Sequence, residues 1–205
     1  MSKLDRIQAP GPHTMLRVLV IDESRTRAAD ICAALALAGH QVAAVLPSAL
    51  DLAGHVEAIR PDIILIDTDS PSRDTLEHLA AVGRDMPRPV IVFAQASDED
   101  VIRKAVRAGV SAYVVDGVGA NRLKPVIEVA RIQFSEHQAL KRELDEATKK
   151  LSDRKLIERA KGILMKSRAL DEEAAYSALR RLAMERGKPL VTIAHDVIDM
   201  AKLLL

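Results

Sequence analysis

Sulfur and aromatic rings are scarce in this 205-residue chain, which has one cysteine, no tryptophan, two tyrosines and two phenylalanines. A single thiol, Cys32, cannot close an intramolecular disulfide, which fits a reducing compartment. Cys32 lies among Ala28, Ile31 and Leu35 at helical spacing and is expected to be a buried, inert thiol. Aromatics at 2% exclude a sheet that binds nucleic acid by stacking bases on aromatic side chains. No stretch approaches the ~20 apolar residues of a membrane span, so a soluble, cytoplasmic chain with no membrane partner is expected. Also missing are a glycine-rich phosphate loop, a nucleophile elbow and Cys/His metal-ligand spacing, which argues against a metabolic enzyme.

What is present divides into modules. With 48% apolar and 29% charged residues, the chain can build a core and a second unit. Its near-neutral total hides an asymmetry: residues 121–205 carry 18 basic and 13 acidic groups, and residues 1–120 carry 12 and 16. A polyanionic partner therefore belongs to the C-terminal part. Ala9, Pro10, Gly11 and Pro12 mark residues 1–14 as a disordered extension. The remainder is expected to form an α/β domain over 15–120, a helical connector over 121–151 and an all-α module over 152–205.

The α/β reading rests on alternation. Short apolar runs at 17–21, 41–46, 62–66, 89–93 and 112–115 read as strands. Between them lie helical patterns: one capped by Ser24 and stopped by Gly39, one over 48–59 opened by Ser48, one over 73–82 and one opened by Ser97. Strands alternating with helices imply a parallel sheet covered on both faces. Ligands of such sheets bind at the carboxyl ends of the strands, where Asp22, Glu23, Asp67 and Asp69 fall. Carboxylates gathered there need a cation, and Asp22, Glu23 and Asp67 are candidate magnesium ligands.

On Val20, Ile21, Asp22 and Glu23, on Ile64 to Asp67 with Pro71 beyond, and on Ala108 to Tyr113, residues 15 to about 130 resemble the receiver domain of two-component response regulators. The resemblance implies a flavodoxin-like, five-stranded parallel sheet, Asp67 as phospho-acceptor, and Asp22 and Glu23 as magnesium holders. Two positions depart from the family: Ala94 stands where it has a hydroxyl and Asp116 where it has a lysine. A methyl cannot hydrogen-bond a phosphoryl group, and a carboxylate repels one. Phosphorylation of Asp67 is thus expected to be weak, absent or poorly transmitted, leaving a protein-interaction scaffold that needs no cofactor.

Between Pro125 and Gly162 there is neither proline nor glycine. Leu123, Ala130, His137, Leu144 and Leu151 form one seam position, and Val126, Gln133, Leu140 and Ala147 the other. This spacing predicts a coiled-coil homodimer; a helix packed back on its own domain gives the same pattern. His137, with no second ligand at metal spacing, reads as a packing residue.

Three helical patterns follow, at 153–166, 172–186 and 189–204. Between Lys149 and Arg168 eight basic residues face two acidic ones. Arg154, Ile157 and Ala160 to Met165, then Glu173 to Tyr176, Leu179, Arg180, Ala183 and Met184, then Ile193, Ala194, Val197 and Ile198 resemble the ANTAR family of RNA-binding antiterminator domains. The resemblance implies a dimer that binds paired hairpins in a nascent leader mRNA. Arg154, Lys155, Arg159, Lys161, Lys166, Arg168 and Arg180 are the candidate RNA contacts. Tyr176 reads as a packing residue, and Gly162 as a site of close helix approach.

The order of parts is similar to that of the nitrate-assimilation (NasT-type) and amidase (AmiR-type) regulators, in which a ligand-binding sensor protein sequesters the antiterminator. The expected function is transcription antitermination, of the nitrate type. Two alternatives are a DNA-binding regulator controlled through Asp67 and a phosphorelay protein with no nucleic-acid target.

Overall fold

The structure, a computed structural model, describes residues 15–95, 97–115 and 120–203. The extension over 1–14 and the departure at Asp116 lie outside these residues. Two units divide the chain, one ending at Gln138 and the other beginning at Ala139.

The first unit runs β1 (Arg17–Asp22), α1 (Arg25–Leu37), β2 (Gln41–Leu46), α2 (Leu52–Ile59), β3 (Ile63–Thr68), α3 (Arg73–Asp85), β4 (Val90–Ala94), α4 (Glu99–Arg107) and β5 (Ala112–Val115). All neighbouring strands are parallel, in the order β2-β1-β3-β4-β5, the flavodoxin-like arrangement. Continuous apolar runs suit the central strands because both faces are covered. Leu19, Ile21, Ile64 and Ile66 face Leu52, Val56, Leu76 and Leu79 of α2 and α3. Val18, Val20, Leu65 and Phe93 face the other way, against Ile31 and Leu35 of α1. The strand period of two thus feeds two separate layers.

Two expected helix starts shift. The second helix begins at Leu52 after a left-handed Asp51, and Ser48 instead accepts a hydrogen bond from the Leu50 amide. Asp98, not Ser97, caps α4 by accepting from the Val101 amide, while the Ser97 hydroxyl meets the Tyr113 hydroxyl at 3.0 Å. At α4 the adjacent Ser97 and Asp98 look alike in sequence; only the backbone geometry decides which oxygen reaches the third amide.

A single helix, α5 (Ala120–Arg168), spans 49 residues and carries Pro125 near its start. It joins what the sequence separates into a connector and a first module helix. Its opening turns correct the expected dimer seam. Leu123, Ile127 and Ala130 are fully buried on the receiver's own sheet, with Val126 packed beside them. Those positions are occupied within the fold, and an apolar stripe packed on a sheet repeats like a coiled-coil seam over so few turns. His137, Leu140, Leu144, Ala147 and Leu151, further along, are exposed.

In the second unit the end of α5 packs with α6 (Glu172–Arg186) and α7 (Leu190–Leu203). Ala160, Leu179, Ala183, Ile193, Ala194 and Ile198 form its core. Ala169, in the left-handed region at φ 52°, ends α5, and Asp171 caps α6 by accepting from the Ala174 amide. Gly162 is not a site of close approach: a Cβ built there meets no atom within 4 Å.

Candidate regulatory pocket and nucleic-acid interface

Parallel pairing sets Asp22 of β1 directly beside Asp67 of β3 at the carboxyl edge of the sheet. Both are 4% exposed. Ser24, the N-cap of α1, donates its amide to Asp22 Oδ1 at 2.7 Å, and its hydroxyl accepts from the Arg27 amide at 3.4 Å. That turn delivers Arg27 into the pocket. Its guanidinium donates to Asp22 Oδ1 at 3.3 Å and to Asp69 Oδ1 at 3.0 Å, and its Nε lies 3.6 Å from Asp67 Oδ2. Burial first, and the Asp22 charge second, push the Asp67 carboxyl above the usual range, while Arg27 pulls it back.

The expected magnesium set of Asp22, Glu23 and Asp67 does not assemble. Glu23 is exposed, and among the described residues no group of three His, Cys, Asp or Glu side chains is placed to hold a metal. Magnesium requires oxygens at about 2.0–2.1 Å in octahedral array. The charge that balances these carboxylates is a guanidinium, so the pocket as arranged does not fit the ion. Ala94, fully buried, ends β4 opposite Thr68, so a methyl stands where a hydroxyl would reach the pocket. Arg27 went unread in the sequence; the signal was its place three residues after the Ser24 cap, in the first turn facing this edge.

On the second unit the proposed basic surface separates into two kinds of residue. Lys161 is only 7% exposed, and its ammonium donates to Glu158 at 2.9 Å and to Glu172 at 2.7 Å. It ties α5 to the first turn of α6 and is no free phosphate contact, which corrects its place among the RNA contacts. Arg154, Lys155, Arg159, Lys166, Arg168 and Arg180 are exposed and make no ion pair among the described residues. Lys155, Arg159 and Lys166 fall on one stripe of α5, turned away from buried Ala160. Tyr176 is 42% exposed rather than packed and lines a groove of about 430 Å³ with Lys161, Glu172 and Glu173.

The bridge has a pH signature. Hydrogen bonding to Lys161 holds the Glu172 carboxyl below its ordinary 4.5, and the same bond raises Lys161 above its ordinary 10.5. A lowered carboxyl stabilises fully above its unfolded pKa and loses that contribution as pH falls through the folded value. The lysine's contribution is lost only above its ordinary range. We expect the melting temperature of the second unit to drop more steeply below pH 4.5 in the native chain than in Glu172→Gln. Superimposable acid limbs would show that the bridge does not contribute.

Residues 18–128 match the response regulator receiver domain, and residues 145–205 match the ANTAR domain. The chain is an ANTAR-domain response regulator. Over 183 residues it is 28% identical to the transcriptional regulatory protein PdtaR of Mycobacterium tuberculosis, covering 89% of each chain. The nitrate regulatory protein of Klebsiella oxytoca is 34% identical over 88 residues, 43% of this chain and 22% of that protein. The aliphatic amidase regulator of Pseudomonas aeruginosa is 26% identical over 126 residues, 61% of this chain and 63% of the relative. A receiver domain of a diguanylate cyclase from Desulfovibrio desulfuricans shares the fold, with a TM-score of 0.53 at 24% identity over 60% of this chain and 99% of that one. Among the described residues of this ANTAR regulator no helix is long and apolar enough to cross a membrane.

Proposed function

We propose that this regulator acts in transcription antitermination by binding paired hairpins of a nascent leader mRNA through its C-terminal unit. The observation that carries the reading is the stripe of Lys155, Arg159 and Lys166, exposed and without carboxylate partners among the described residues, on the helix that also supplies the core residue Ala160. Unpaired cations at helical spacing supply the salt-dependent phosphate contacts, and arginine planes stack on splayed loop bases. Binding to duplex DNA is disfavoured by α7, whose one basic Lys/Arg group, Lys202, is held by Asp199 at 2.8 Å. A DNA-reading helix carries several free polar groups toward base edges. A phosphorelay protein without a nucleic-acid target would leave the stripe without a role.

The site of action is the cytoplasm, where transcripts emerge. A second copy of the chain joins through the exposed Leu140, Leu144 and Leu151, and a ligand-sensing partner protein controls access to the RNA. Similarity to the Klebsiella nitrate regulatory protein supports an operon of nitrate or nitrite assimilation.

Titration of the full chain against a two-hairpin leader RNA, a scrambled RNA and duplex DNA tests this. Preference for the hairpins is expected, and equal affinity for all three sinks it. Arg159→Ala should weaken binding several-fold and lower the salt slope by about 1. An unaltered slope removes Arg159 from the phosphate contacts.

A further inference from the structure

We propose that Arg27 is the built-in cation of the receiver pocket: its guanidinium holds the position of a divalent metal between Asp22 and Asp67, and a metal enters only when Arg27 leaves. Three carboxylates converge on this one side chain, from β1, from β3 and from the loop beyond β3. Two of them are buried, and carboxylates that are buried together require a counter-charge. Arginine supplies one that no accessible pH removes.

The pocket is also not saturated. Asp22 Oδ2 and Asp67 Oδ1 are buried and have no hydrogen-bond partner among the described residues. Against three negative charges the guanidinium brings one positive charge, so the site retains affinity for a further cation while its coordination position is filled. Asp69 explains how the arginine is retained. It is outside the core, 81% exposed on its side chain, and grips the far nitrogen at 3.0 Å. The Arg27 side chain itself remains one-third exposed, so it has a path out to solvent. Arginine and metal therefore compete for the same oxygens, with Asp69 as the outer latch.

Manganese(II) binding to the full chain, read from the electron paramagnetic resonance of the free ion, tests this directly. Arg27→Gln should bind manganese about tenfold or more tightly than the native chain. Asp69→Asn, a surface change that keeps both buried carboxylates, should give a gain of a few-fold. Adding Asp67→Asn to Arg27→Gln should cancel the gain. Magnesium should correspondingly raise the melting temperature of Arg27→Gln more than that of the native chain. Equal or weaker manganese binding by Arg27→Gln overturns the proposal. If that variant does not fold, an Asp69→Asn chain with native affinity overturns it instead.

Discussion

Leu123→Ala is expected to destabilise the receiver unit by about 2–5 kcal/mol, the cost of emptying a fully packed leucine site. Leu144→Ala, the same chemical change three heptads further along the helix and exposed to solvent, should alter the unfolding of the isolated chain by no more than about 0.5 kcal/mol. The difference follows from position on one helix. Leu123 is fully buried among Ile127, Ala130 and the sheet, whereas Leu144 is 64% exposed. Urea unfolding followed by circular dichroism, at a concentration low enough to suppress association, measures both. Similar costs for the two leucines would mean that the start of α5 is not part of the receiver core. A concentration-dependent loss confined to Leu144→Ala would place that leucine in contact with a second copy.

The second large effect is expected from adding volume. Ala160 is fully buried where α5, α6 and α7 meet, against Leu179, Ala183, Ile193 and Ala194. Three of the residues that meet there are alanines, so the helices are close because their side chains are short. Ala160→Leu inserts three carbons into that junction and should cost about 1–3 kcal/mol, since a packed core yields only by forcing rotamers or moving backbone. Because the exposed stripe lies on the same helix, hairpin binding should weaken without any charge having been removed, and the salt slope should stay as in the native chain. A native melting profile for Ala160→Leu would show that the junction has room, and with it that the small residues are not what sets the helix spacing.

Much of this fold is legible in the residues alone because each strand announces itself twice, by an apolar run and by the turn chemistry that ends it. The runs at Arg17 and Ile63 end in Asp22 and Asp67, and the sheet places those two carboxylates side by side as the alternation implies. What the residues do not state is partnership. Arg27 and Lys161 are both cations on helices with solvent-like neighbours in sequence. One pairs with the carboxylates of a pocket built from β1 and β3, and the other joins two acidic residues eleven and three positions away. Charge counted along a chain treats them as free. The same limit applies to the heptads: Leu123 and Leu151 are equivalent in spacing, and only the neighbouring sheet makes the first a core residue and leaves the second exposed. Tyr176 shows the reverse case, an aromatic side chain that composition assigns to a core and the helix pair leaves at a groove.

The burial of Leu123, Ile127 and Ala130 also sets an order of events during synthesis. The last strand of the sheet ends at Val115, yet the layer formed by Val18, Val20, Leu65 and Phe93, packed by then only against α1, stays incompletely covered until the ribosome has delivered the opening turns of α5. A nascent chain holding all five strands is therefore still an unfinished domain, with the part of that face beyond α1 open to solvent. The residues that finish it belong to the same helix that later carries Ala160, so the first unit closes only as the second begins to be made.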